Sequence, residues 1–232
     1  MLSSLTMKPA SVLLASASPR RRRLIAWLGV TVDVTATDTA EDLTRPLCPD
    51  ALAQTLAAEK ALAARPLASD GALVLGFDTI VVADGDVLGK PVDAAEARRM
   101  LRALAGRAHE VVTGVAILAA DAPAPLTFAV TTPVAMRALS DEEIDNWIER
   151  GEAFGCAGAY NIEHHLASVA DDQCFQNVAG LPLCHLYAAL ASGRAGAAPE
   201  GLTAPVAACD TLLSRRCLLG PRVCGSAHAD QG

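Results

Sequence analysis

Ser16-Ala17-Ser18-Pro19-Arg20-Arg21 sets two hydroxyls and two guanidiniums where an apolar run, 12–15, gives way to a helix start. Ser18 suits the N-cap and Pro19 the first helical position, so the unpaired N–H groups of the first turn share that place with Ser16, Ser18, Arg20 and Arg21. Such a cluster is a seat for phosphate oxygens. An ordinary capped helix with a basic first turn would read the same way. Four consecutive arginines, Arg20 to Arg23, nevertheless oppose the helix dipole unless an anion offsets them.

Three further positions carry charge where charge is unusual. Gly76-Phe77-Asp78-Thr79 inserts a carboxylate between two apolar runs, which is costly unless the group is paired or bound to metal. An aspartate exposed at a strand end is the plainer alternative. Leu88-Gly89-Lys90-Pro91 is not a phosphate loop of the Walker type, because the interval from Gly85 to Gly89 is one residue short and Pro91 stands where Ser or Thr would meet magnesium. Lys90 and Lys60 remain candidate phosphate cations, or else solvated lysines. Against 16 arginines the chain has only three lysines, Lys8, Lys60 and Lys90, so each is a locally unusual choice. His109-Glu110-Val111-Val112-Thr113 lacks the second histidine of a zinc-protease helix, no Gly-x-Ser-x-Gly elbow occurs, and the adjacent side chains of His164 and His165 diverge.

The elements that must position these residues follow from pattern. The run 12–15 reads as a buried strand, 20–28 as a helix ended by Gly29, and Val30, Val32 and Val34 as a half-buried strand. A helix over 50–65 stops at Pro66; strands over 72–76 and 80–83 are followed by the turn pair Asp84-Gly85. Asp93 with Glu96 opens a helix that Gly106 ends, strands cover 109–119 and 126–138, and Ser140 with Glu143 opens a helix closed by Gly151. A last helix spans 182–192. Strands and helices interleave, which predicts an α/β domain with a mixed sheet. The organisation is an N-terminal extension, 1–10, a main α/β domain, 11–192, and a low-complexity C-terminal tail, 193–232, rich in Ala, Gly, Pro and Ser.

Composition narrows the function. The 232 residues are 52% hydrophobic and 19% charged, ample for a core, with aromatics at only 3%, so Ala, Leu and Val must fill it. A net charge of −7 argues against a nucleic-acid partner, and Arg20 to Arg23 as an RNA patch fits the acidic whole poorly. No stretch is long and apolar enough for a membrane span, and the basic residues follow the first apolar run instead of preceding it as in a signal peptide. Seven cysteines with no CxxC predict reduced thiols and a cytoplasmic location. Five of them fall between Cys174 and Cys224, at spacings that match no zinc pattern.

Taken in order, these motifs resemble the Maf family of nucleotide pyrophosphatases. The likeness runs over 12–190: Ser-x-Ser-Pro-Arg-Arg at 16–21, Lys60, Gly76-x-Asp78-Thr79 and Leu88-Gly-Lys-Pro91. Gly106, His109, Thr113-Gly114-Val115, Gly151-Glu152, Ala157-Gly158-Ala159-Tyr160 and Gly180-Leu-Pro-Leu183 complete it. The resemblance implies a mixed twisted sheet flanked by helices, with two lobes around a cleft, as in the related inosine-triphosphate pyrophosphatases. It implies hydrolysis of a nucleoside triphosphate between the α and β phosphates, with a divalent cation (Mg or Mn) and often as a homodimer.

Carried residue by residue, the resemblance makes Asp78 the acid that activates water and a metal ligand, and gives Glu41 to the metal as well. The family usually has Asp just before that Glu; here it is Ala40, with Asp38 and Asp42 nearby. Ser16, Ser18, Arg20, Arg21, Lys60, Thr79, Lys90 and Glu163 become substrate-binding. Arg20 and Thr79 match the pyrimidine-preferring subgroup (dTTP and UTP), whereas Glu163 and Cys156 match the 7-methylguanosine-triphosphate subgroup. A carboxylate at 163 suits a donor-rich purine edge, and the two readings of the base stay open. A nucleotide-binding regulator of cell division with little catalysis is the alternative from another class.

Overall fold

The computed structural model describes residues 11–37 and 39–226; the N-terminal extension and Asp38 lie outside it. In chain order the elements are β1 (Val12–Ala15), α1 (Pro19–Ile25), β2 (Val32–Thr35), α2 (Pro49–Ala64), β3 (Leu73–Ala83), β4 (Asp86–Leu88), α3 (Ala94–Leu104) and β5 (Ala108–Leu118). They continue with β6 (Leu126–Met136), α4 (Asp141–Glu149), β7 (Ala167–Ser168), α5 (Phe175–Val178), α6 (Leu183–Ala191), α7 (Val206–Leu213) and α8 (Gly220–Ser226). No described helix is long and apolar enough to cross a membrane.

One mixed sheet runs through the molecule in the order β2-β1-β3-β5-β6-β7, with β4 added to β3. β1 is parallel to both β2 and β3, and the remaining pairs are antiparallel. Alternation along β3 splits its side chains between two cores. Leu73, Leu75, Phe77 and Val81 join α1, α3, α4 and α6 on one face, while Val74 and Ile80 meet α2 on the other. Helices therefore cover both faces, as the interleaved pattern predicts.

α2 approaches the sheet unusually closely. A Cβ at Gly76 would lie 2.1 Å from the Ala57 carbonyl oxygen, and one at Gly114 would lie 2.0 Å from that of Ala53. Only glycine permits that approach, and Gly114 is the register partner of Asp78.

The capping residues read from sequence are in place. Ser18 Oγ accepts from Arg21 N, Asp93 from Glu96 N, and Ser140 with Glu143 forms a reciprocal capping box. Gly29 and Gly151 adopt left-handed φ values of 71° and 75° at the ends of their helical segments.

Two expectations are corrected. The runs on either side of Asp78 are one continuous strand of 11 residues, because the buried carboxylate is paired and so does not break the ladder. The segment from Gly193, expected to be an aperiodic tail, carries α7 and α8. α8 packs on α6, and Cys209 and Cys224 are buried. Small apolar residues pack there without leaving a readable period.

Candidate active site

β1 pairs with β3 only through Ala15↔Gly76, and β4 joins the same edge only from Val81↔Leu88. Among the described residues, 77–80 of β3 therefore have no strand neighbour on that side. Asp78 and Thr79 lie in this gap, beside the carboxyl end of β1 and the start of α1. Ligands of open α/β sheets bind outside the carboxyl ends of parallel strands. A cleft of about 550 Å³ opens here, and Ser16, Arg21, Glu41, Lys60, Asp78 and Lys90 are in its wall. Its wall also includes 151–152, 154–157, Tyr160, Asn161 and 178–180.

Asp78 and Thr79 are sequence neighbours on opposite faces of the strand. Asp78 faces α2 and forms an ion pair with the buried Lys60 ammonium, which the close packing at Gly76 and Gly114 brings within reach. Lys60 Nζ also donates to Glu41 Oε1 at 2.7 Å, and Lys90 Nζ donates to Oε1 and Oε2 of Glu41 at 2.8 and 3.0 Å. Burial disfavours the charged form of Glu41, but the hydrogen bonds and charges of Lys60 and Lys90 prevail and bring its pKa down to about 2.

Thr79 faces the other way, toward Arg21. Arg21 Nη2 donates to Thr79 Oγ1 at 2.9 Å and Nε to the Gly180 carbonyl at 2.8 Å, with the guanidinium over the Phe77 ring. Burial lowers the Arg21 pKa to about 10, against the opposing charge of Asp78, so the cation persists at neutral pH. Ser16 Oγ accepts from Ser18 N at 3.2 Å and lies 3.5 Å from Arg21 Nη1. Arg20 Nη1 donates to Cys156 Sγ at 3.0 Å, while its buried Nε has no partner among the described residues.

The structure thus brings Ser16, Ser18, Arg20, Arg21, Glu41, Lys60, Asp78, Thr79 and Lys90 around one hollow. It does not bring Glu163. That carboxylate pairs with Arg23 on the exposed side of α1, outside the cleft wall, because Arg22 and Arg23 turn away from the site. Asp42 is engaged instead by its own turn, accepting from Thr44 N and Oγ1.

Sequence reasoning gave no site role to three contributors, of which Tyr160 and Gly180 stood in the family motifs and Asn177 did not. Tyr160 lines the cleft and shares a 2.7 Å hydrogen bond with buried His109 Nε2; burial pushes the phenol up and holds the imidazole down at about 4. Gly180 supplies the carbonyl for Arg21, and Asn177 is completely buried beneath it. The Gly-Leu-Pro string at 180–182 was the only local signal for that turn. Cys156 lines the cleft, whereas Cys174, Cys184, Cys209 and Cys217 border a separate small depression between α6 and α7. No group of three or more His, Cys, Asp or Glu fit for a metal occurs among the described residues.

A helix-covered mixed sheet with basic side chains and a paired carboxylate at the end of its parallel strands defines an α/β protein built around a polyanion-sized cleft. The chain belongs to the Maf-like protein family, whose model matches residues 11–193. The dTTP/UTP pyrophosphatase of Geobacter sulfurreducens is 42% identical over 182 residues, spanning 78% of this chain and 95% of that one. The dTTP/UTP pyrophosphatase of Citrifermentans bemidjiense is 44% identical over 186 residues, spanning 79% and 96%. Of solved structures, a HAM1 protein from Coxiella burnetii overlaps 55% of this chain and 73% of its own at 18% identity and a TM-score of 0.37, which adds nothing to the sheet order above.

Proposed function

We propose that the chain is a nucleoside triphosphate pyrophosphatase that cleaves between the α and β phosphates and prefers the pyrimidine substrates dTTP and UTP. The observation that carries this reading is the convergence of Arg21, Lys60, Lys90 and Asp78 on one cleft. A triphosphate is heavily anionic, and water attacks it slowly until that charge is neutralised. Arg21 and Lys90, both in the cleft wall, meet the phosphates. Lys60 orients Asp78, whose free oxygen accepts the proton as water attacks the α-phosphorus and pyrophosphate leaves.

A divalent cation fits Glu41 and Asp78. Both carboxylates already converge on one cation, the Lys60 ammonium, and these oxygen donors would hold Mg or Mn. Bound there, the ion would supply further positive charge to the phosphates and lower the pKa of a water.

Pyrimidine preference is supported by the names of the relatives and by Arg20 and Thr79 in the cleft wall. The argument from Glu163 for a purine edge loses its basis, since Arg23 engages that carboxylate. No observation favours a regulator without chemistry. The test is a nucleotide panel with Mg and product identification. Monophosphate plus pyrophosphate from dTTP and UTP is expected. Orthophosphate as the only product, or fastest turnover of 7-methyl-GTP, overturns the reading.

A further inference from the structure

Behind the cleft, two separate hydrogen-bonded arms hold the Arg21 guanidinium, and both end on the same buried carbonyl. In the first, Arg21 Nη2 donates to Thr79 Oγ1 at 2.9 Å, Thr79 and Thr113 hydroxyls are 3.0 Å apart, and Thr113 Oγ1 donates to the Asn177 carbonyl at 3.1 Å. In the second, Arg21 Nε donates to the Gly180 carbonyl at 2.8 Å, and Gly180 N donates to the Asn177 carbonyl at 2.9 Å. The Asn177 side chain fixes that carbonyl in turn. Its Nδ2 lies 2.9 Å from the Val130 carbonyl on β6 and 3.1 Å from the Val111 carbonyl on β5, with Thr132 Oγ1 at 3.0 Å.

The direction of the first arm follows from counting hydrogens. A threonine hydroxyl has one hydrogen. Thr113 gives its own to the Asn177 carbonyl, so the hydrogen between the two threonines belongs to Thr79. Thr79 then presents only lone pairs to the cleft side, and a guanidinium, which has donors and no acceptor, is the complementary group. With Nε, one Nη2 hydrogen and one Nη1 hydrogen (the last on Ser16 Oγ at 3.5 Å) committed, the two remaining donors of Arg21 are left for phosphate oxygens.

Thr113 and Asn177 are completely buried, and neither lines the cleft, so neither touches a substrate. We propose that Thr113 and Asn177 are positioning residues that set the Arg21 guanidinium for a polyphosphate, through Thr79 and the Gly180 carbonyl. The proposal rests on the triphosphate reading of the cleft. It also gives Thr79 a task in addition to lining the cleft.

The test is a double-mutant cycle between Thr113→Val and Arg21→Ala, with Thr113→Ser as the conservative variant. Two readouts are taken on the full chain: kcat/KM for dTTP by pyrophosphate release, and tripolyphosphate binding by calorimetry. Thr113→Val is expected to lower both by about tenfold, Thr113→Ser to stay within about twofold of the parent, and Thr113→Val added to Arg21→Ala to cost nothing further. Unchanged tripolyphosphate affinity in Thr113→Val, or a loss that adds in full to that of Arg21→Ala, overturns the proposal. Should Thr113→Val not fold, Thr79→Val with Thr79→Ser cuts the same arm nearer the surface and is read in the same cycle.

The two readings fail separately. A parent protein that binds tripolyphosphate in this pattern but releases no pyrophosphate from any nucleotide refutes the enzyme and keeps the positioning arms. An active parent whose Thr113→Val matches it refutes the arms alone.

Discussion

Lys60 is the residue on which the cleft balances, because its one ammonium answers two carboxylates, Glu41 and Asp78. Asp78 has a 4% exposed side chain, so the partner it needs must come from within the fold. Replacing Asp78 by Asn would remove the proposed proton acceptor while keeping the shape. Nucleotide binding, read by calorimetry, is expected to survive, and turnover, read by pyrophosphate release, to fall by about 10²–10⁴. Lys90 is half exposed and, among the described residues, held only by Glu41, so Lys90→Ala is expected to raise KM for the triphosphate more than it lowers kcat. Glu163 behaves differently. Since it sits with Arg23 outside the cleft wall, Glu163→Gln is expected to leave the ratio of kcat/KM between dTTP and 7-methyl-GTP unchanged within about twofold, a rim ion pair contributing little.

At the level of elements, the site depends on how near α2 lies to β3 and β5. Gly76→Ala would place a methyl carbon against the Ala57 carbonyl, and backbone cannot yield as a side-chain tip would. The expected cost in a urea titration is about 1–3 kcal/mol. Activity should fall by more than that cost suggests, because any retreat of α2 takes Lys60 away from Asp78. This dependence explains what sequence could and could not deliver. Caps and turns are local, so Ser18, Asp93, Ser140 and the Asp84-Gly85 hairpin were readable from a few neighbouring residues. β3 was read as two pieces because nothing near Asp78 in sequence announces Lys60, its partner 18 positions away. The cationic set of the cleft was legible as a family motif, but Asn177 was not, and His109 stood in the motif without a role, since the roles of both consist of contacts with distant elements.

For the molecule as a whole, buried His109 ties stability to pH. Burial lowers its pKa to about 4 from an ordinary 6.5. Between those values the unfolded chain takes up a proton that the folded chain refuses, so stability is lost as pH falls from about 6.5 toward 4. Melting temperature followed across that window is expected to decline, and His109→Phe to flatten that part of the curve while lowering its plateau, because the Tyr160 hydroxyl loses its partner. The C-terminal segment belongs at this scale too. α7 and α8 lie beyond the family match at 193, yet their buried cysteines are part of the packed body, and α8 contacts α6 directly.

The placement of Asp78 and Thr79 back to back on β3 has an evolutionary corollary. An insertion or deletion of one residue upstream within the strand would exchange their orientations, aiming the hydroxyl at Lys60 and the carboxylate at Arg21, while a change of two would restore the phase. Length variation in this strand should therefore be tolerated in even steps, if at all, and related chains can drift in loop length far more freely than in the span that leads into this pair.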